Sequence, residues 1–307
     1  MSSGAFSHSR TAYHVVLGWP VLPKGFSFGQ VCGLDVDSQN HVWLFHRGAL
    51  KPIVALDGNT GEVITSFGEN MFVRPHGLRV DPEGYVWVTD KDDNLIYKFT
   101  RDGKVVMRIG TKGKAGWDAT HFDGVADLAF TPDGDFYVAD GYQNSRVVRF
   151  SKEGRAQFEW GEKGSGPGQF DCPHSVALDR QGLVYVADRG NSRVQIFDPG
   201  GRFLREWKST ELGRPWGVAV GPDNFAYVVD GGDAFLNQSR TDPNPTELDH
   251  AQVSKLDLNG NIVDCFGRYG RYEGQFIWPH NVAVGEDGAV YVSEVHTGMR
   301  VQKFVKE

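Results

Sequence analysis

The sequence is short of several things at once. It has only three cysteines, Cys32, Cys172 and Cys265, in 307 residues. An odd and sparse set fits a reducing compartment better than a disulfide framework, so the expected location is cytoplasmic. No apolar run approaches the ~20 residues of a membrane-spanning helix. The first ten residues are Ser-rich and lack an apolar core, so no secretory leader is expected and residues 1–10 read as flexible. Dense Lys/Arg runs are also missing, and the formal net charge is −7. Phosphate contact dominates nucleic-acid affinity, so no nucleic-acid partner is expected. The remaining expectation is a small-molecule or peptide-like substrate, with the oligomeric state left open.

What is present is glycine, 39 residues of it, much of it in Asp-Gly and Asn-Gly pairs that mark tight turns. These turns belong to a repeat. Its copies read CGLDVDSQNHVWLFH from Cys32, HGLRVDPEGYVWVTD from His76 and ADLAFTPDGDFYVAD from Ala126. They continue with HSVALDRQGLVYVAD from His174, WGVAVGPDNFAYVVD from Trp216 and HNVAVGEDGAVYVSE from His280. The six align without a gap and place Trp43, Trp87, Tyr137, Tyr185, Tyr227 and Tyr291 at one position. Each copy reads as two period-2 strands around a turn, and two further strand-like runs usually follow. Four strands per unit, repeated six times around an axis, is an all-β, six-bladed β-propeller. The last copy is one strand short. The run YHVVLGW near the N-terminus is expected to supply that strand and close the ring, because an open ring leaves unpaired edges. The whole chain, 1–307, therefore reads as one domain. A long Asp-, Asn- and Pro-rich insertion, 231–252, follows the second strand of blade five and is either a lid over the axis or a solvated loop.

The first repeat position lies at the rim of the axial channel. Its occupants are Cys32, His76, Ala126, His174, Trp216 and His280, so histidine falls on alternate blades. Alternate blades stand roughly 120° apart, and three imidazoles would converge on one point. Three His with an open fourth position is a catalytic zinc pattern. Zinc–nitrogen bonds of about 2.0–2.1 Å predict ligand nitrogens roughly 3–4 Å apart. A lone histidine here would more simply bond neighbouring backbone. The segment after strand two returns to the same face and carries Arg47, Tyr142 and Arg189. Arginine offers a fork for a carboxylate, and a tyrosine near cations and a metal can act as a base.

These residues carry a family resemblance. The repeats look like NHL repeats. FHRG at Phe45, RPHGLRVDPEGYVWVTD at Arg74, DGYQNSRVVRF at Asp140, GQFDCPHSVAL at Gly168, VADRGNSRVQIF at Val186 and WPHNVAVGEDGAVYV at Trp278 resemble the peptidyl-α-hydroxyglycine α-amidating lyase family, from about Gln30 to Phe304. The resemblance implies a zinc and calcium six-bladed propeller that cleaves a carbinolamide to a primary amide and glyoxylate. It implies zinc on His76, His174 and His280, a catalytic Tyr142 and active-site Arg47 and Arg189. It also implies calcium on the carbonyls of Leu34 and Leu78 and on residue 281. The sequence departs from the family at Asn281, where the family has Asp, and a neutral side chain weakens a calcium site. It departs again at Trp278, where animal enzymes have Met, and at Gln143, where a disulfide cysteine is missing. No fused hydroxylating domain is expected. The expected function is zinc-dependent cleavage of an N–C(OH) bond. The alternatives are another metal-dependent propeller enzyme, such as a lactonase or other hydrolase, and a non-catalytic interaction platform.

Overall fold

The computed structural model describes residues 12–48, 50–232 and 251–306. These form six four-stranded antiparallel sheets. Blade one runs outward through Val31–Val36, His41–His46, Ile53–Asp57 and Val63–Phe67. The inner strands of blades two to six are Pro75–Val80, Val125–Phe130, Pro173–Leu178, Pro215–Val220 and Pro279–Val284. Each inner strand packs on those of its two neighbours, and the sixth packs on the first, so the ring is closed. The spare N-terminal strand, Tyr13–Val15, pairs antiparallel with the last strand, Arg300–Lys306, as its outer neighbour in blade six. Residues 1–10 and most of the 231–252 insertion lie outside the described residues.

Local chemistry explains the repeat. The turn between the first two strands needs a left-handed residue at the ninth repeat position. All six occupants have positive φ: Asn40, Gly84, Gly134, Gly182, Asn224 and Gly288. Glycine and asparagine tolerate that region with least strain. The repeat aromatics are almost fully buried between blades. Trp43 Nε1 donates to Asp37 Oδ2 at 2.7 Å, and Trp87 Nε1 donates to Asp81 Oδ2 at 2.8 Å. Tyr185 and Tyr227 likewise donate to Asp179 and Asp223. Gly221 replaces the repeat aspartate in blade five, where Asp223 two places on takes its role; where Thr131 and Gly285 replace it, the tyrosine reaches the next blade instead. Tyr137 donates to Pro199 O at 2.8 Å and Tyr291 to Gly58 O at 3.3 Å. The buried ring is thus satisfied either way.

The acidic residue ending strand two holds the approach to the axis. Asp90 accepts the N–H groups of Val73 and Arg74, Asp188 that of Asp171, and Glu294 that of Ile277. These are the segments that lead into Pro75-His76, Pro173-His174 and Pro279-His280. In blade one the position is His46, whose Nδ1 accepts Gly29 N–H at 3.2 Å and Gly48 N–H at 2.9 Å. Burial pushes the His46 imidazole down to about 4, so it stays a neutral acceptor.

Candidate metal centre on the propeller axis

The first repeat position is a β-bulge in every blade. In blade four, for example, Pro173 pairs with Asp188 and Ser175 with Ala187, which leaves His174 unpaired. The same register shift leaves His76 and His280 unpaired, and Cys32, Ala126 and Trp216 too. A bulge re-aims a side chain, and here it turns three imidazoles onto the axis. Their ring centroids form a near-equilateral triangle, 4.8 Å between His76 and His174, 4.8 Å between His174 and His280, and 5.0 Å between His76 and His280. The potential ligand atoms all lie within 4.8 Å of one another. That bound is looser than the roughly 3–4 Å of a tetrahedral zinc site.

The bulge also frees a carbonyl in each intervening blade. His76 Nδ1 donates to Ala126 O at 2.8 Å, His174 Nδ1 to Trp216 O at 2.6 Å and His280 Nδ1 to Cys32 O at 2.7 Å. Each histidine therefore does bond neighbouring backbone, as a lone histidine would, and it is oriented by doing so. With Nδ1 protonated, every Nε2 carries a lone pair toward the centre. Burial pushes all three imidazoles well below the ordinary histidine range, aided most by Arg47 at His76, by Arg189 at His174 and by His76 at His280. Neutral imidazoles with fixed tautomers are the form that ligates metal.

Tyr142 stands over this triangle. Its Oη lies 2.8 Å from His76 Nε2 and 3.0 Å from His174 Nε2. One O–H can donate to only one of them, so a second lone pair is left facing oxygen. The donor set fits zinc, which would satisfy all three nitrogens together. Burial pushes the Tyr142 phenol up, and Arg189 and then Arg47 oppose this without overcoming it. The protein groups alone thus leave the phenol high. Arg189 Nη1 lies 3.5 Å from Tyr142 Oη, and its guanidinium covers the Trp216 ring at 4.7 Å. Arg47 is held differently, donating from Nε to Pro75 O at 3.1 Å and from Nη1 to Gln30 Oε1 at 2.7 Å.

The sequence reading missed Lys91, whose Nζ sits 4.7 Å from the Tyr142 ring centroid. Lys91 follows Asp90 as Arg189 follows Asp188 and Arg47 follows His46, and that shared repeat position was the available signal. The rim is consequently two-sided. Blades one, two and four bring Arg47, Lys91 and Arg189. Blades five and six bring Trp216 and Trp278, 6.2 Å apart, with His296 4.7 Å from Trp278. A cavity of about 360 Å³ continues outward from Arg47 past Phe72, Arg74 and Pro75. The lid reading of 231–252 falls largely on residues 233–250, outside the described residues.

The surroundings of the residues expected to hold calcium do not suit that ion. The Leu34 and Leu78 carbonyls do converge, but on Arg79, whose Nη1 donates to them at 2.8 and 3.3 Å. Asn281 Oδ1 accepts the Val282 N–H at 2.8 Å and carries no charge. Two carbonyls engaged by a guanidinium and a neutral amide do not fit a calcium ion, which favours charged oxygen ligands.

Comparison with known proteins identifies the repeat and the family. The NHL-repeat family profile matches residues 122–150 and 170–197. The probable peptidyl-α-hydroxyglycine α-amidating lyase of Caenorhabditis elegans is 30% identical over 297 residues, covering 87% of this chain and 80% of the worm protein. The chain belongs to the peptidyl-α-hydroxyglycine α-amidating lyase family. Other relatives differ in name and length. The Xenopus laevis peptidyl-glycine α-amidating monooxygenase B is 34% identical over 91% of this chain, and the chain spans only 34% of that protein. Human NHL repeat-containing protein 3 is 33% identical over 95% of the chain and 84% of its own length. Among solved structures, a streptogramin B lyase superposes with a TM-score of 0.60 at 17% identity, covering 92% of this chain and 95% of its own. A gluconolactonase from Xanthomonas campestris gives 0.64 at 13% identity, with 92% and 87% covered. These two share the fold. Among the described residues no helix is long and apolar enough to cross a membrane.

Proposed function

We propose that this family member is a zinc-dependent lyase that splits the N–C(OH) bond of a carbinolamide bearing a carboxylate, giving an amide and glyoxylate or a related carbonyl product. The observation that carries the reading is three backbone-oriented imidazoles aiming Nε2 lone pairs at one point beneath a tyrosine hydroxyl. His76, His174 and His280 would hold the ion. Zinc, when bound, supplies Lewis acidity toward a substrate oxygen.

The rest of the chemistry belongs to the side chains. The reaction moves one proton in net terms, from the hydroxyl oxygen to the leaving nitrogen, as the C–N bond breaks and the C=O bond forms. One group that takes and returns a proton is enough, and Tyr142 Oη stands where it can do both. Arg189 and Arg47 orient the carboxylate, with Lys91 adding a third positive charge on that side. Trp216 and Trp278 offer the opposite side an apolar wall for the acyl group. The three unpaired thiols, Cys32, Cys172 and Cys265, support a reducing compartment such as the cytoplasm.

The test is to incubate zinc-loaded protein with an N-acyl-α-hydroxyglycine and assay glyoxylate. Absence of glyoxylate ends the peptide-like version of the lyase reading. A hydrolase of the lactonase kind predicts bound calcium without zinc, and the imidazole ligand set argues against it. An interaction platform predicts that replacing the three histidines leaves function intact.

A further inference from the structure

Below the histidine tier the axis holds a buried cation that belongs to the chain itself. Arg79 is the fifth residue of the blade-two inner strand, Pro75–Val80, and is nearly excluded from solvent. Its guanidinium donates from Nη1 to the carbonyls of Leu34 and Leu78, from Nε to Leu128 O at 3.2 Å and from Nη2 to Asp127 Oδ2 at 2.6 Å. Those acceptors come from blades one, two and three. Asp127 Oδ2 also accepts Ser175 Oγ at 2.7 Å and the Val176 N–H at 3.4 Å, both in blade four. Ser175 Oγ in turn accepts the Val218 N–H of blade five at 3.3 Å. One guanidinium thus anchors a polar chain across five blades. Farther along the strands a cavity of about 360 Å³, ringed by Val36, Val80, Phe130, Leu178, Val220 and Val284, opens toward the opposite mouth.

A cluster of inward carbonyls with one carboxylate is what a bound divalent cation would require. Here the charge is covalently attached, and the acid sits at Asp127 while the same repeat position in blade six is the neutral Asn281. We propose that Arg79 is the resident cation of the axis, an organic replacement for a divalent ion, so that this propeller neither needs nor binds calcium there. Occupancy supports it. The Leu34 and Leu78 carbonyls already accept from the guanidinium, whose charge also faces the buried carboxylates of Asp127 and Asp35, and a second cation among the same carbonyls would meet that positive charge at close range.

Two measurements test this with readouts independent of turnover. Wild-type protein passed through calcium-containing buffer and then desalted should carry no stoichiometric calcium by elemental analysis, and added CaCl₂ should move its melting temperature by less than about 1 °C. One calcium per chain, or a clear calcium-dependent rise in melting temperature, overturns the proposal. The reverse exchange is the Arg79→Ala/Asn281→Asp double variant. It should melt roughly 5–10 °C lower without calcium, because Asp127 loses its partner, and recover at least half of that on adding calcium. A folded double variant indifferent to calcium would show that the guanidinium does not stand in an ion's place. Should the double variant fail to fold, the wild-type calcium content still decides.

Discussion

At the scale of single residues, the centre depends on a division of labour within each imidazole. Nδ1 is spent on a carbonyl of the next blade, and Nε2 is left for the axis. His174→Ala should therefore abolish stoichiometric zinc while the near-ultraviolet circular dichroism stays native, since the aromatics between blades are untouched. The lost bond to Trp216 O costs about 1 kcal/mol. A variant that keeps zinc at full stoichiometry would refute the ligand assignment. Tyr142→Phe removes only the oxygen that faces His76 and His174. It should keep zinc and lower kcat by about 10²–10⁴-fold with little change in KM. Lys91→Met should instead raise KM about tenfold for a carboxylate-bearing substrate and leave kcat nearly intact, the signature of lost ground-state binding. The three histidines were legible from the sequence because the repeat fixes the register and histidine recurs on alternate copies. Lys91 was equally available by position. Arg79 was not, because strand alternation alone does not say that a long side chain at a polar position will bend inward to bridge three blades.

At the scale of strands and turns, the acid that ends strand two is structural. Asp188 is fully buried, bonds Arg193 Nε at 2.8 Å and holds the Asp171 N–H that starts the approach to His174. Asp188→Ala leaves Arg193 with Glu206, 2.8 Å from its Nη1, as its remaining counter-charge. It should cost about 1.5–3 kcal/mol, a fall in melting temperature of roughly 3–6 °C, readable in a thermal melt. Blade one does the same task with a neutral imidazole, and that gives it a pH signature. The His46 imidazole is held at about 4 when folded, against about 6.5 when unfolded. The unfolded chain binds the extra proton, so this contribution is complete above pH 6.5 and is lost as pH falls through 4, about 3 kcal/mol in all. Denaturant titrations between those limits should show a flatter pH dependence for His46→Gln than for wild type, and parallel curves would contradict the assignment. The strands and turns were readable because glycine or asparagine marks every ninth position. The bulges were not, since Cys32, His76, Ala126 and Trp216 share no property that announces an unpaired residue.

At the scale of the whole molecule, closure rests on three residues of one short strand. Tyr13 stacks on Phe266 at 4.8 Å, and its Oη lies 2.8 Å from Tyr227 Oη and accepts Lys255 Nζ at 3.1 Å. Removing residues 1–16 should expose the edge of Arg300–Lys306, lower the melting temperature and produce concentration-dependent association in sedimentation velocity, as unpaired edges do. The architecture and its closure were written plainly in the repeat count and in the missing strand of the last copy. The same circularity has a consequence for how the protein is made. His76 and His174 leave the ribosome long before His280, and the His280 imidazole is oriented only when Cys32, from the first blade, offers its carbonyl. A nascent chain of five blades can present two imidazoles but not the third. On the proposed zinc reading, metal capture is the last event of biogenesis, and a loaded centre would certify that the two ends of the chain have met.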